Sequence, residues 1–418
     1  MRRLFLALAV LVVAVAAPAT ASNRPEASVV SDNPVDYTPH VLDGDIRAIV
    51  VVGDTVVVGG DFTSVTDSTG GRVLERWYLF AFSLSTGRVL PFDPYLDGPV
   101  LSLEAGPGRT VYVGGRFRTV GDPAGDRQQR GITQLNIDTG APTAAFRAEV
   151  NWGDVRGIAL TDDGVYIGGT FSAVNGVKRV GLARLNPKTG EVDDRFDAML
   201  SADEIGRVKV EDLAVSPRGD RLMAIGAITK AGSEYRVQAA MFDLSGPEAV
   251  LSDWWTDAYN AACREGFDTY LRAVDFSPSG DYLVIVSTGR QNNPTRLCDT
   301  AARFETYGSG KQDATWVNHT GGDSLYAVEV DHSAVYVGGH QRWMNNPHGH
   351  ESAGPGAVDR VGLAAIDPNS GLVNSWNPTR SRGVGVRAFA LTNRGSSDLS
   401  DTDELAREYH GRIGMFPR

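Results

Sequence analysis

The stretch Val56-Val57-Val58-Gly59-Gly60-Asp61-Phe62, a β-branched run closed by two glycines and a phenylalanine, decides the fold of this chain. The run recurs along the chain, in clean or degraded form, and the positions equivalent to Gly59 are Gly114, Gly168, Gly226, Ser287 and Gly338. The intervals between them are 55, 54, 58, 61 and 51 residues. A period near fifty, made of short strands and turn residues, predicts a β-propeller, in which small antiparallel sheets form blades around an axis.

The remainder of each repeat supplies the other strands of a blade. An apolar run closed by Thr-Gly or Ser-Gly follows each clean glycine pair, as at residues 78–87, 131–140, 181–190 and 362–371. Such dipeptides favour a turn with positive φ into the next strand. That next strand carries an aromatic residue, which is Phe92, Phe146, Phe196 or Trp376. We therefore expect four strands in each blade.

The two ends of the chain resemble two parts of one repeat. Residues 35–44 match the outer strand at residues 90–98, whereas residues 385–391 and 411–416 match inner strands. Joining them completes a blade and removes the open edge of the sheet array. The sequence predicts an all-β propeller of seven four-stranded blades, the last of them closed by the N-terminal strand. Six or eight blades stay open, because residues 396–406 make a poor second strand.

The N-terminus has the pattern of an export signal. Arg2 and Arg3 precede an apolar stretch at residues 4–17, and Ala19-Thr20-Ala21 is a small-residue cleavage pattern. We expect residues 1–21 to be a signal peptide, cleaved near Ala21 by the general or the twin-arginine route. Residues 22–33 then form a loose arm and residues 34–418 a single propeller domain. No later apolar stretch is long enough to span a membrane, so a secreted, extracellular protein is predicted.

Charge limits the class of partner. The chain carries a formal net charge of −11, and its basic residues form no concentrated run. Nucleic acid is therefore not expected as a partner, and the protein is expected to be a monomer.

The cysteine pair indicates one disulfide. Cys263 and Cys298 are the only cysteines, and a pair in an exported chain is bonded by default. Cys263 precedes the first strand of the fifth blade, and Cys298 lies in the connection between that blade's second and third strands. Because strand direction alternates, both positions lie on one face, and we expect a structural bond without redox activity.

The same face collects the unusual polar residues of the chain. Where other repeats have phenylalanine after the glycine pair, the sixth repeat has His340-Gln341-Arg342-Trp343. A local departure within a repeat array often marks a functional site. The candidate ligand-binding residues, all from the fifth and sixth blades, are His340, Arg342, Trp343, Asp299, Asp323, Arg303 and Asp268.

Structural roles compete with each of these assignments. Trp343 fits equally a core position vacated by the missing phenylalanine, and the three aspartates fit turn positions that accept backbone N–H groups. His348 and His350 lack a fixed third ligand, so no metal site is predicted. Residues 400–404 are acidic but lack the spacing of a calcium loop. No cofactor is predicted, although calcium or a quinone stays open.

Three longer motifs carry a resemblance to a known family. They are Leu297-Cys298-Asp299-Thr300-Ala301-Ala302-Arg303, Tyr336-Val337-Gly338-Gly339-His340-Gln341-Arg342-Trp343 and Glu408-Tyr409-His410-Gly411-Arg412-Ile413. With the glycine-pair repeats, they resemble the delta-60 type propeller repeats of secreted actinobacterial proteins over essentially all the exported chain. Residues 396–406 depart from that pattern. The resemblance implies a propeller fold and export, and no established reaction.

A binding module is the function expected from these features. The ligand would be a cell-envelope or extracellular glycan, or an extracellular partner protein. Trp343 would stack on a sugar face, His340 and Arg342 would donate hydrogen bonds, and Asp299 and Asp323 would accept them. The alternative is a secreted enzyme, either quinone-dependent, because residues 136–140 are similar to quinone-dehydrogenase turns, or a lyase or hydrolase using His340 with Asp323. No catalytic residue is otherwise predicted.

Overall fold

The structure is a computed structural model, which describes residues 29–418 except 123–124, 204–205, 265, 291–292, 384, 393–394, 400–403 and 406–407. The regular elements of this part are short β-strands, which confirms the all-β prediction. In the described residues no helix has the length and apolar character needed to cross a membrane. The predicted signal peptide and residues 22–28 lie outside the described residues.

Seven antiparallel sheets follow one another along the chain, and within each sheet the strands pair in chain order. Sheet 1 comprises Ile46–Val52, Thr55–Gly60 and Leu79–Ser83; sheet 2 Val100–Gly106, Thr110–Gly115 and Ile132–Asn136; sheet 3 Val155–Thr161, Gly164–Gly169 and Leu182–Leu185; sheet 4 Lys209–Val215, Arg221–Ala227, Ala239–Asp243 and Val250–Leu251; sheet 5 Leu271–Phe276, Tyr282–Ser287, Thr300–Glu305 and Trp316–His319; sheet 6 Leu325–Val330, Val335–Gly339 and Leu363–Ile366; and sheet 7 Ala388–Thr392, Gly395–Leu399 and Ile413–Pro417.

Shorter strands pair in the segments that precede the sheets and in those that connect their second and third strands. They are His40–Val41 with Ser64–Thr66 and Leu74–Glu75; Tyr95–Leu96 with Thr119–Asp122 and Gly125–Gln128; Ala173–Val174 with Val177–Lys178; Leu200–Ser201 with Lys230–Ala231 and Glu234–Tyr235; Trp343–Met344 with Val358–Asp359; and Glu404–Leu405 with Glu408–Tyr409.

The outer strand is less regular than four full strands per sheet would require. Sheets 4 and 5 have a complete fourth strand, whereas in four other sheets a single bridge stands in its place: Phe82 with Val89, Leu135 with Pro142, Leu185 with Val192, and Ile366 with Val373. Pro142 lies at one of these bridges. Because proline has no N–H group, it cannot extend a ladder of backbone hydrogen bonds.

The two glycines of the repeated motif have separate packing reasons. A methyl group on Gly168 would lie 2.6 Å from Cγ1 of Val210 in the next sheet, and one on Gly114 would lie 2.8 Å from Cγ1 of Val155. A methyl group on the second glycine, Gly169, would strike the carbonyl oxygen of Asp154. The first glycine thus lets neighbouring sheets approach, and the second lets the first strand of its own sheet begin close to it.

The first strands of the seven sheets pack in chain order, and Ala388–Thr392 of sheet 7 also contacts Ile46–Val52 of sheet 1. All seven border one cavity of about 450 Å³. Buried apolar side chains fill the spaces between successive sheets, as Val57, Val100 and Val113 do between sheets 1 and 2.

The N-terminal residues of the described part lie along the last strand. The amides of Ser31 and Val35 donate to the carbonyls of Pro417 and Met415 at 2.7 and 2.9 Å. Val30, inside the predicted loose arm, is buried. Within the predicted arm, residues 29–33 are described, and they contact the last strand through the Ser31 amide while Val30 is buried.

The predicted disulfide is confirmed. Cys263 and Cys298 are bonded, with their Cα atoms 5.6 Å apart, and both are buried. The bond joins the segment before the first strand of sheet 5 to the connection between that sheet's second and third strands, as strand direction predicted.

Candidate functional site

A cleft of about 510 Å³ lies on the face where the sequence places the unusual polar residues. We call it the arginine cleft. Its lining residues are Arg264, Phe267, Thr288, Gly289, Arg290, Gly322, Asp323, Ser324, His340, Arg342, Glu351 and Arg382. Three of the predicted site residues, His340, Arg342 and Asp323, are among them.

Asp323 is the fixed point of the cleft. Its side chain is only 4% exposed, and its two carboxylate oxygens accept the Nε and Nη2 groups of Arg342 at 2.8 and 3.0 Å. The backbone amide of Arg342 donates to the same carboxylate at 3.1 Å. Thr320 in turn accepts the amide of Asp323 through Oγ1, at 3.1 Å, which anchors the segment before sheet 6. A two-point pair of this kind sets the plane as well as the position of a guanidinium group.

A second arginine shares this carboxylate. Nη2 of Arg382 donates to Oδ1 of Asp323 at 2.9 Å, and its Nε donates to the carbonyl of His340 at 3.2 Å. At the rim, Nε of Arg290 lies 2.7 Å from Oε1 of Glu351. Four arginines against two carboxylates give the lining a positive charge, although the whole chain is negative.

His340 adds a neutral donor or acceptor beside this charge. Its ring meets the ring of Tyr326 edge-on, with centroids 5.5 Å apart. Burial lowers the pKa of His340 below its ordinary value, so the imidazole is uncharged at neutral pH. Its buried Nδ1 has no hydrogen-bond partner among the described residues.

Trp343 takes neither of the roles considered for it. The position of the missing phenylalanine is filled by Gln341, which is fully buried like its counterpart Phe62. Trp343 begins the short strand Trp343–Met344 and is partly buried. The guanidinium carbon of Arg342 lies 4.3 Å from the centroid of its ring. The tryptophan thus supports Arg342 rather than lining the cleft, and Phe267, 41% exposed, supplies the aromatic surface there.

The remaining predicted site residues lie elsewhere. Asp299 is fully buried, with φ of 54°, and its carbonyl accepts the amide of Thr320 at 3.1 Å, so it belongs to the framework beneath the cleft. Arg303 is paired with Glu305 at 2.9 Å on the third strand of sheet 5 and does not line the cleft. Asp268 lines a different cleft, where it pairs with Lys209 at 2.9 Å.

No metal centre is found in the part of the chain that the structure describes. His348 and His350 are exposed. The acidic segment considered for calcium falls at residues 400–403 outside the described residues.

Four carboxyl groups border the cavity between the first strands: Glu104, Asp212, Asp275 and Glu329. Two of them accept amides of the next sheet, since Val274 donates to Asp212 at 3.0 Å and Val330 donates to Asp275 at 2.7 Å. Burial raises the pKa of Glu104 and of Asp212 to about 7. Asp212 and Asp275 thus connect neighbouring sheets, and no sequence motif predicted the four carboxyls.

Sequence reasoning also missed Arg264, Phe267, Arg290, Glu351 and Arg382. They come from four separate connections, namely the segment before sheet 5, one connection within sheet 5, one within sheet 6 and the segment before sheet 7.

No protein family and no curated protein matches this chain. Among solved structures, a crystal structure of the computationally designed Ika8 protein is similar to it. That likeness covers 90% of this chain and 97% of the Ika8 chain, at 12% sequence identity and a TM-score of 0.49. We draw no conclusion from a likeness at that level.

Proposed function

We propose that the protein is a secreted seven-bladed β-propeller that binds acidic glycans in the arginine cleft. The observation that carries the binding proposal is the buried Asp323 carboxylate, which fixes Arg342 and Arg382 side by side at the cleft. A site that already holds its donors in place loses little conformational entropy when a ligand binds.

Seven blades are supported by the contacts between first strands. Each first strand contacts the next, and Ala388–Thr392 also contacts Ile46–Val52. Seven strands bordering one cavity is the arrangement expected around a propeller axis. Hydrogen bonds from Ser31 and Val35 to the last strand support closure by the N-terminus.

An acidic ligand is supported by charge and geometry. The guanidinium groups of Arg342 and Arg382 keep N–H groups that Asp323 does not use, and carboxylates suit such planar donors. The side chain of Arg264 is exposed at the same cleft and has no carboxylate partner among the described residues. The lining therefore has more positive charge than its own carboxylates neutralise.

A sugar is supported by the remaining lining groups. The hydroxyl groups of Thr288 and Ser324 line the cleft and hydrogen-bond each other, and His340 offers a neutral ring nitrogen. The exposed ring of Phe267 gives an apolar surface on which a pyranose face can stack. A charged ring with hydroxyl groups, as in a uronic acid, satisfies all of these groups together.

Catalysis by His340 with Asp323 has less support. The Asp323 carboxylate already accepts donors from two arginines, so it is not free to orient or deprotonate an imidazole. The quinone-dependent alternative has no supporting contact in the described residues.

A glycan array compares the ligand classes directly. We expect the mature protein to retain uronic-acid oligosaccharides and to ignore neutral glucans, with signal lost at high salt because screening weakens ion pairs. Phosphorylated glycans on the same array test the nature of the acidic group. Retention of neutral glycans alone would contradict the proposal.

A further inference from the structure

A second cleft, of about 630 Å³, lies between sheets 2, 3 and 4, outside the arginine cleft. We call it the tryptophan cleft. Its lining residues are Arg116, Arg118, Arg130, Trp152, Gly153, Asp154, Arg156, Thr170, Arg207, Lys209 and Asp268. Six of these side chains are cationic, although the whole chain carries a net charge of −11.

Part of this charge is held by a buried framework. Asp154, with a side chain only 7% exposed, accepts Nε of Arg156 at 3.0 Å and Nε of Arg116 at 3.1 Å. Nη1 of Arg156 reaches Glu211 at 3.2 Å, and Lys209 pairs with Asp268 at 2.9 Å. Three carboxylates therefore orient three of the six cations.

The other three cations are Arg118, Arg130 and Arg207. In the described part of the chain, no carboxylate forms an ion pair with Arg118, Arg130 or Arg207. Arg130 donates to the carbonyl of Asn151, and its buried Nε has no partner. Six cationic side chains against three carboxylates leave the cleft with three unneutralised positive charges.

An indole lies beside these free charges. Trp152 is 37% exposed, and its Nε1 donates to Oγ of Ser172 at 3.0 Å, which fixes the plane of the ring. The guanidinium carbon of Arg207 lies 4.9 Å from the ring centroid. A fixed aromatic plane next to free guanidinium groups suits a ligand that has both a flat apolar face and an acidic group.

We propose that the tryptophan cleft is a second binding site, for a segment of an acidic polysaccharide rich in uronic acid. Its sugar face would stack near Trp152, and its carboxylates would bind Arg118, Arg130 and Arg207. The proposal for this site does not rest on ligand binding in the arginine cleft, although one residue of each cleft is adjacent in the sequence. Phe267 lines the arginine cleft, and its neighbour Asp268 lines the tryptophan cleft.

The sequence shows no concentrated basic run, because these cations come from three separate stretches, residues 116–130, residue 156 and residues 207–209. The lack of a basic run was therefore a poor guide to local charge in the folded protein. Nucleic acid is the competing class of polyanion, because unpaired bases also stack on aromatic side chains beside basic residues. Equal affinity for single-stranded DNA in the titration below would therefore contradict the assignment.

Tryptophan fluorescence during titration with polygalacturonate tests this site by itself. We expect an emission change in the wild-type protein that is absent from Trp152→Phe, since the other tryptophans lie outside this cleft. The double variant Arg118→Ser, Arg207→Ser should bind at least about tenfold more weakly in this assay, having lost charge-assisted hydrogen bonds.

A matched control removes the same charge elsewhere. Arg72→Ser with Arg88→Ser changes two exposed arginines that lie outside both clefts, and it should bind as the wild type does. Equal loss in both double variants, no response at Trp152, or equal affinity for neutral dextran or duplex DNA would overturn the assignment. Because Trp152 reports only on the tryptophan cleft, failure here is separate from failure of the arginine cleft.

Discussion

Asp323 holds Arg342 by two parallel hydrogen bonds, Nε to Oδ2 at 2.8 Å and Nη2 to Oδ1 at 3.0 Å, while its side chain is almost completely buried. A buried carboxylate is costly without such partners, and the arginines in turn depend on it for position. A change of Asp323 should therefore alter both the arrangement of the arginine cleft and the stability of the folded protein.

The substitution Asp323→Asn should destabilise the protein. It removes the charge that fixes Arg342 and Arg382, and we expect the free energy of unfolding to fall by about 1–3 kcal/mol in denaturant titrations. Asp268→Asn is the matched control, because that carboxylate is 47% exposed, and its loss should cost less than about 1 kcal/mol. Equal effects of the two changes would contradict the role given to Asp323.

The carboxyls between the first strands predict an unusual dependence of stability on pH. Burial raises the pKa of Glu104 to about 7, well above its value in an unfolded chain. Between about pH 4 and pH 7 the folded protein thus binds a proton that the unfolded chain has released. The contribution of this group to stability is complete at low pH and is lost as the pH rises towards 7.

Glu104→Gln should therefore reduce the fall in unfolding free energy between pH 5 and pH 8, as measured by denaturant titration at each pH. The group faces Glu329, whose pKa burial also raises to about 7. Burial lowers the pKa of His319 to about 4, which acts in the opposite direction at low pH, so the comparison with wild type is the informative one. The exposed Glu248→Gln is the control, and an identical pH profile for both variants would refute the assignment.

We predict that the buried side chain of Gln341 destabilises the folded protein. It is fully buried where other repeats have phenylalanine, and neither polar atom of its amide has a partner among the described residues. Gln341→Met, close in volume, should raise the free energy of unfolding by about 1–2 kcal/mol. The exposed Gln128→Met should give no such gain. A loss of stability in Gln341→Met would show that the amide is satisfied in solution.

Closure by the N-terminus predicts a large effect of a short truncation. A chain that lacks residues 29–44 loses the bonds from Ser31 and Val35 to the last strand, and that from Trp376 Nε1 to the Ser31 carbonyl at 2.9 Å. Its melting temperature in calorimetry should fall by several degrees. A chain that begins at Val29 is the control, and it should melt as the mature protein does. Equal melting temperatures would contradict closure.

The sequence predicted those features that a repeat or a local pattern encodes. The glycine pair predicts the sheets, because Gly168 allows the close approach of a side chain from the next sheet and Gly169 allows the close approach of the backbone. The disulfide follows from the presence of only two cysteines and from strand direction, which places both on one face. Arg342 was found because its segment departs from the repeat, and Asp323 because strand direction places it on the same face.

What the sequence did not predict depends on side chains that converge from different sheets. Arg382 and Phe267 carry no local signal, and their place in the cleft is set by the packing of whole sheets. One prediction placed Trp343 in the core position of the missing phenylalanine. Gln341 occupies that position, because it has the same spacing from the glycine pair as Phe62. One repeat alone could not show this.

Calorimetric titration with a uronic-acid oligosaccharide tests the arginine cleft most directly. To remove the contribution of the tryptophan cleft, the proteins compared all carry Arg118→Ser and Arg207→Ser. In that background the double variant Arg342→Gln, Arg382→Gln should bind at least about tenfold more weakly, because two charge-assisted donors are lost. Arg303→Gln, which changes an arginine outside the cleft, should not weaken binding. Undiminished binding by the double variant would contradict the account.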